Sequence, residues 1–338
     1  GRCRHSDVHL YSMLAFSMLA PLAMTLQMNS PSSGASPLQH PVKVYIEDTD
    51  AYAVVYHGNY LRFFERAAIA TSVSTEIAGK LLHSDRALGI GLLAADGVKF
   101  STAAVLGDTC HVEVVPRGLD TDGLLSCSAA LVRAHDGCEL CTASDLRLGW
   151  VIRESRMVTP TWPIDDPNEA SLKVASAYGL RVGEVPSASE SPQLSTDADG
   201  GPLVLQVDEC SPVGTLSLHA AVCYFERHRT QYLGGADQLA NLASTGVNVV
   251  VARMSALRLL PEAHCTHAGS PLELRCRIRL KARNTQIVFE HWLLRCNDGQ
   301  PLARADVTCL CVDVAAGKLV TAPQVVLDHL AMYRDGSS

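Results

Sequence analysis

Val44-Tyr-Ile-Glu-Asp-Thr-Asp-Ala-Tyr-Ala-Val-Val-Tyr-His-Gly-Asn-Tyr-Leu-Arg-Phe-Phe-Glu-Arg66 changes character twice in a short span. Val42, Val44 and Ile46 alternate with Lys43 and Tyr45, which predicts a strand, and the polar run Glu47-Asp48-Thr49-Asp50 predicts a turn. From His57 onward Leu61, Phe64, Ala68 and Ile69 recur at three- and four-residue spacings, which predicts a helix over about residues 57–82 with one strongly apolar face. Working outward, short alternating runs near residues 91–95, 99–104, 109–116, 124–134 and 138–151 predict strands, with turns at Leu106-Gly107-Asp108 and His135-Asp136-Gly137. The unit is α+β: one strand, one long helix, then an antiparallel meander.

The pattern then returns. Phe64-Glu65-Arg66 reappears as Phe225-Glu226-Arg227, an offset of 161, and His135-Asp136-Gly137 is matched by Asn297-Asp298-Gly299, an offset of 162. A near-constant offset between separate marks predicts two copies of one unit. Residues 187–202 are Ser, Pro, Asp and Gly with almost nothing to bury, which predicts a linker. The expected organisation is a first unit at 41–151, a linker at 152–202, a second unit at 203–325 and a C-terminal tail at 326–338.

Composition narrows the function. The 338 residues have room for about two domains. With 28 Lys+Arg against 35 Asp+Glu the net charge is −7, so there is no basic surplus for a phosphate backbone and no nucleic-acid partner is expected. The twelve cysteines are scattered singly through apolar runs. The one Cys-x-x-Cys, Cys138 to Cys141, has no second pair at zinc spacing, so core thiols and no metal site are expected. No apolar run reaches the ~18 residues of a membrane span. The apolar residues 14–24, after Arg2 and Arg4 and before Ser- and Pro-rich sequence, read as an organelle address, mitochondrial or plastid, with an ordinary cytoplasmic tail as the alternative. Residues 1–40 are therefore left out of the fold.

Residues 44–66 resemble the opening of the 4-hydroxybenzoyl-CoA thioesterase family and its bacterial acyl-CoA thioesterase relatives. The motif there reads Asp-Thr/Cys-Asp-x-x-Gly-Val-Val-Tyr/Phe-His/Tyr-x-Asn-Tyr-Leu. The resemblance covers 42–151 strongly and 203–322 more loosely. It implies the hotdog fold, an antiparallel sheet wrapped around one long helix, and for this chain tandem hotdogs forming a covalent pseudo-dimer with a site at their interface. It also implies hydrolysis of an acyl thioester, on CoA or on acyl carrier protein, with no cofactor beyond the CoA of the substrate.

A thioester carbonyl needs a nucleophile or a water-directing base, and a positive potential for the developing oxyanion. A carboxylate just ahead of a helix N-terminus offers both. In the family the motif's second Asp is the catalytic carboxylate, which here is Asp50. His57 is a candidate for orienting substrate or solvent, or a structural histidine, while Asn59 and Tyr60 are candidates for ordering the loop. Tyr56 and Tyr60 are candidate substrate contacts. Arg253 and Arg258 are candidates for CoA phosphates, or surface residues. Taken alone, Asp48 and Asp50 read as turn or cap residues rather than catalytic ones, and Glu65 with Arg66 as a helix-face ion pair.

Two departures from the motif matter. Its Gly is Ala53 here, a problem if that position needs φ > 0. In the second copy the offset of 161 puts Ser211 in place of Asp50 and Leu218 in place of His57, while Gly214 keeps the Gly. His219 is one position from the histidine slot, and a Ser without a positioned base cannot replace the carboxylate. One working site is expected. The competing reading is a catalytically degenerate pair serving as a structural subunit of a larger organellar complex, and homo-oligomerisation is a further expectation. A dehydratase or isomerase fits less well, because the helix-borne His pattern of enoyl hydration is missing.

Overall fold

The structure is a computed structural model, and it describes residues 38–50, 53–72, 88–120, 124–152, 203–211 and 214–334. The expected organelle address, the linker and the far end of the first expected helix lie outside the described residues. The first half runs β1 (Leu38–Lys43), a 3-10 turn at Ile46–Asp48, α1 (His57–Ser72), β2 (Leu88–Asp96), β3 (Val98–Phe100), β4 (Thr109–Leu119), β5 (Leu125–Arg133) and β6 (Glu139–Ile152). The second half runs β7 (Leu203–Val204), a 3-10 turn at Val207–Glu209, α2 (Leu218–Tyr232), α3 (Gly235–Ser244), β8 (Val247–Leu259), β9 (Pro271–Lys281), β10 (Gln286–Arg295), β11 (Pro301–Asp313), β12 (Lys318–Leu319) and α4 (Gln324–Arg334). The first strand sits a few residues earlier than its alternation suggested, because the chain tightens into the 3-10 turn at Ile46.

The strands form one antiparallel sheet in the order β1-β4-β5-β6-β2-β8-β11-β10-β9-β7. That order reads the same from either end when each strand is replaced by its counterpart in the other half. The halves meet where Ala94 and Ala95 of β2 pair with Arg258 and Leu257 of β8, and where β3 pairs with β8 through Val98 and Lys99. The long helices lie on the sheet, α1 on β1, β2, β4, β5 and β6 and α2 on β9, β10 and β11 and also on β2 of the first half, and the two helices touch each other.

The helices form there because of their spacing. Tyr60, Leu61, Phe63, Phe64, Ala67 and Ala68 bury one face of α1, and Ala221, Val222, Tyr224, Phe225 and Tyr232 bury the matching face of α2. Each large side chain so removed from water contributes about 1.5–3 kcal/mol. Ser217 caps α2, its hydroxyl accepting the Ala220 N–H at 3.1 Å. The segment expected as a C-terminal tail is instead the helix α4. Val326 and Leu330, one turn apart, are buried in the core, and Tyr333 meets Tyr232 edge-on at 4.5 Å. A stripe this short left little periodicity in the sequence.

Candidate active site

The polar run before α1 folds into a closed turn. Asp48 caps the 3-10 turn by accepting the Tyr45 N–H at 3.0 Å, and Thr49 bridges Val55. The Asp50 N–H donates to Val54 O at 2.9 Å, and the Asp50 carboxylate accepts the Val54 N–H at 3.3 Å. Ala53 takes φ 59°, the left-handed conformation that its motif position reserves for glycine. The same frame stands 161 residues on: Cys210 bridges Leu216, Ser211 N–H donates to Thr215 O at 2.6 Å, the Ser211 hydroxyl accepts the Thr215 N–H at 3.4 Å, and Gly214 has φ 84°.

Asp50 is exposed at the end of this turn, and α2 of the other half faces it. Burial raises the Glu226 carboxyl above the ordinary glutamate range; Arg229 opposes that shift and the charge of Asp50 adds to it. Glu226 Oε2 is 3.2 Å from His57 Nε2, and Arg229 Nη2 is 3.3 Å from the same nitrogen. Burial, then Arg229 and His219, hold His57 well below the usual histidine value, so the ring is neutral at pH 7. A neutral ring that accepts from Arg229 carries its proton on Nδ1. Tyr56 is hydrogen-bonded to Glu226, and its phenol is shifted upward by burial and then by that carboxylate. Tyr56, Cys223, Glu226, Arg227 and Thr230 line a cavity of about 480 Å³ between the halves.

The other expected residues divide. Asn59 is buried, donating from Nδ2 to Asp48 O at 3.0 Å while its Oδ1 meets His219 Nε2 at 3.1 Å, so it ties the turn to the second half. Tyr60 lies in the core, where its hydroxyl accepts the Ala104 N–H at 2.9 Å and its ring packs edge-on against Phe63 and Phe100. Arg253 is exposed on β8, and Arg258 lies in the field of Arg304 and Arg147. Neither lines a described cavity. Glu65 and Arg66, read as an ion pair, separate: Glu65 Oε1 accepts the Leu92 N–H at 2.8 Å.

Sequence reasoning missed Cys223, Glu226 and Arg229 as neighbours of Asp50 and His57. The signal was present. The charged Glu226 and Arg227 follow the apolar first half of α2, and they had served only to mark the repeat. Among the described residues no group of three His, Cys, Asp or Glu is arranged to hold a metal. The arrangement offers a carboxylate at a turn, a helix N-terminus beside it, and a partly buried Tyr–Glu–His–Arg cluster crossing between the halves.

The family model described as the Thioesterase-like superfamily matches residues 205–330. Acyl-CoA thioesterase YbgC of Haemophilus influenzae is 38% identical over 73 residues, covering 22% of this chain and 53% of that protein. The chain is similar to thioesterases over part of its length. The chain thus spans about half the length of that curated relative. Acyl-CoA thioester hydrolase YbgC of Escherichia coli is 67% identical over 27 residues, 8% of this chain and 20% of that protein. Among solved structures, the 12:0-ACP thioesterase of Umbellularia californica aligns with a TM-score of 0.54 at 11% identity, covering 81% of this chain and 94% of that one. An acyl-ACP thioesterase of Bacteroides thetaiotaomicron aligns with a TM-score of 0.50 at 12% identity, covering 80% and 96%. At these identities the likeness establishes the hotdog fold and nothing finer.

Proposed function

We propose that this chain is an acyl thioester hydrolase built from two tandem hotdog units, residues 41–151 and 203–325, with one working site around Asp50. The repeat of sequence marks, the end-to-end symmetry of the strand order and the repeated turn support the duplication. The observation that carries the function is the comparison of Asp50 with Ser211. Both close the same turn by accepting the same N–H, at 3.3 and 3.4 Å. An oxygen at this place is enough for that N–H, so the bond alone does not call for the charge of Asp50.

The chemistry follows. The Asp50 carboxylate takes a proton from the water that attacks the thioester carbonyl, or attacks that carbonyl itself to give a mixed anhydride that a water then hydrolyses to regenerate Asp50. The His57 and Gly58 amides, in the first turn of α1 where no intrahelical acceptor exists, face the oxyanion. The C–S bond then breaks and the departing thiolate takes up a proton, leaving a carboxylic acid and a free thiol. Glu226, Tyr56 and Arg229 fix the His57 ring rather than react. Acyl-CoA or acyl carrier protein is the proposed substrate, as with the proteins this chain resembles, and CoA is the only cofactor-like group, carried by the substrate.

The second reading is a catalytically silent subunit of a larger assembly. Ser211 in the carboxylate slot and the strained Ala53 favour it. Release of free thiol from a panel of acyl-CoAs and acyl carrier proteins separates the two. Turnover of any member supports the enzyme, and no turnover of any supports the subunit.

A further inference from the structure

A second cavity, of about 450 Å³, opens at the N-terminus of α2, on the side of Cys223 and Arg227 away from Tyr56. Its volume is within the range of small-molecule sites, about 300–1,000 Å³. Ile90, Leu92, Leu93, Leu216, Leu218 and Leu259 form apolar walls drawn from both halves. Arg62 and Arg66, exposed on α1, stand among the lining residues and make no ion pair with a described residue.

Among the described residues none of the cavity's carboxylates forms an ion pair with either arginine, although both arginines lie in the field of Glu65. Glu209 is engaged by Arg227 at 3.3 Å, by the Gln206 N–H at 3.0 Å and by the Tyr224 hydroxyl. Glu65 is turned to the Leu92 N–H, and burial raises its carboxyl above the usual range. Asp208 is exposed to water. Two guanidiniums over an apolar chamber match a ligand with an acyl chain and an anionic head.

Cleavage chemistry is missing from the same place. The Ser211 hydroxyl meets the Thr215 hydroxyl at 3.0 Å. His219, the only imidazole in the lining among the described residues, faces Asn59 with Nε2. Burial, then Arg62 and Arg66, lower its pKa to about 4, which makes it a weak base.

We propose that this cavity is a second site that binds an acyl compound with an anionic head group and does not cleave it. Its ligand class rests on the thioester reading above, whereas its location rests on the apolar chamber and the two arginines. Acyl-CoA and free fatty acid share the required chemistry.

Calorimetric titration with a non-cleavable S-alkyl-CoA thioether, with a fatty acid and with CoA alone tests the site. The wild type is compared with the exposed-residue double variants Arg62→Glu/Arg66→Glu and Arg62→Gln/Arg66→Gln, each checked for unchanged thermal unfolding. The expected result is that the substitutions remove one bound thioether per chain, or weaken it at least tenfold. Binding of fatty acid without CoA would identify the carboxylate as the head group, and binding of CoA alone would identify the phosphates. Thioether and fatty acid binding that is absent, or the same in all three proteins, would overturn the proposal. Failure of the hydrolase reading would instead leave thiol release at background while the arginine-sensitive binding persisted.

Discussion

Glu226 of α2 places Oε2 3.2 Å from Nε2 of His57 at the start of α1, so the carboxyl that completes the first half's cluster comes from the second half. A contact of this kind, made across the seam and partly buried, couples the stability of the halves. Glu226→Ala removes the carboxyl bonded to Tyr56 and packed beside His57 and is expected to cost about 1–3 kcal/mol. Glu226→Gln retains hydrogen-bonding atoms at the same place and is expected to cost less. Urea unfolding of both variants checks the ordering; Glu226→Gln costing as much as Glu226→Ala would show that the amide does not replace the carboxyl's hydrogen bond.

Ala53 and Gly214 occupy the same position of the two turns with φ 59° and 84°. Ala53→Gly relieves a left-handed alanine and is expected to stabilise the protein by about 1 kcal/mol net of the added unfolded-chain entropy. Gly214→Ala is expected to destabilise by about 1 kcal/mol or more, and since a Cβ there would meet nothing within 4 Å, the cost is conformational. Opposite shifts of the urea midpoint at unchanged slope are the expected signature.

His291 lies between Phe225 and Phe289, with ring centroids at 5.1 and 5.8 Å, and neither ring nitrogen has a hydrogen-bond partner. Burial, then Arg229 and His228, hold it well below the usual histidine value. The unfolded chain binds a proton there below about pH 6.5 and the folded chain does not. Stability is therefore lost as pH falls through that value, by up to ~1.4 kcal/mol per pH unit for this group. Raised carboxyls such as Glu65 and Glu226 act with the opposite slope, so the difference between wild type and His291→Phe isolates the histidine. Unfolding free energies between pH 5 and 8 are expected to converge toward high pH and to favour the variant increasingly toward low pH.

Much of this was legible in the sequence because it depended on periodicity. The spacing of Leu61, Phe64 and Ala68 located α1, and the alternating runs located β2 to β6 within a few residues. The Phe-Glu-Arg marks located α2. The motif's missing glycine correctly flagged position 53, since backbone sterics are local. What remained hidden was set by tertiary approach. Nothing near Asn59 says that its amide meets His219, or that Tyr60 turns into the core while Tyr56 lines a cavity. Likewise α4 is held by two buried side chains whose partners are far away in sequence.

The account stands on the carboxylate of Asp50, and thiol release from the best acyl-CoA substrate by wild type, Asp50→Asn and Ser211→Ala tests it most directly. Loss of a nucleophile or base typically lowers the rate by about 10² to 10⁴, so Asp50→Asn is expected to fall by at least about a hundredfold with thermal unfolding unchanged. Ser211→Ala, at the matching turn of the other half, is expected to stay within about twofold because no base is positioned on that hydroxyl. Asp50→Asn turning over as fast as wild type, or Ser211→Ala falling as far as Asp50→Asn, would contradict a single working site at Asp50.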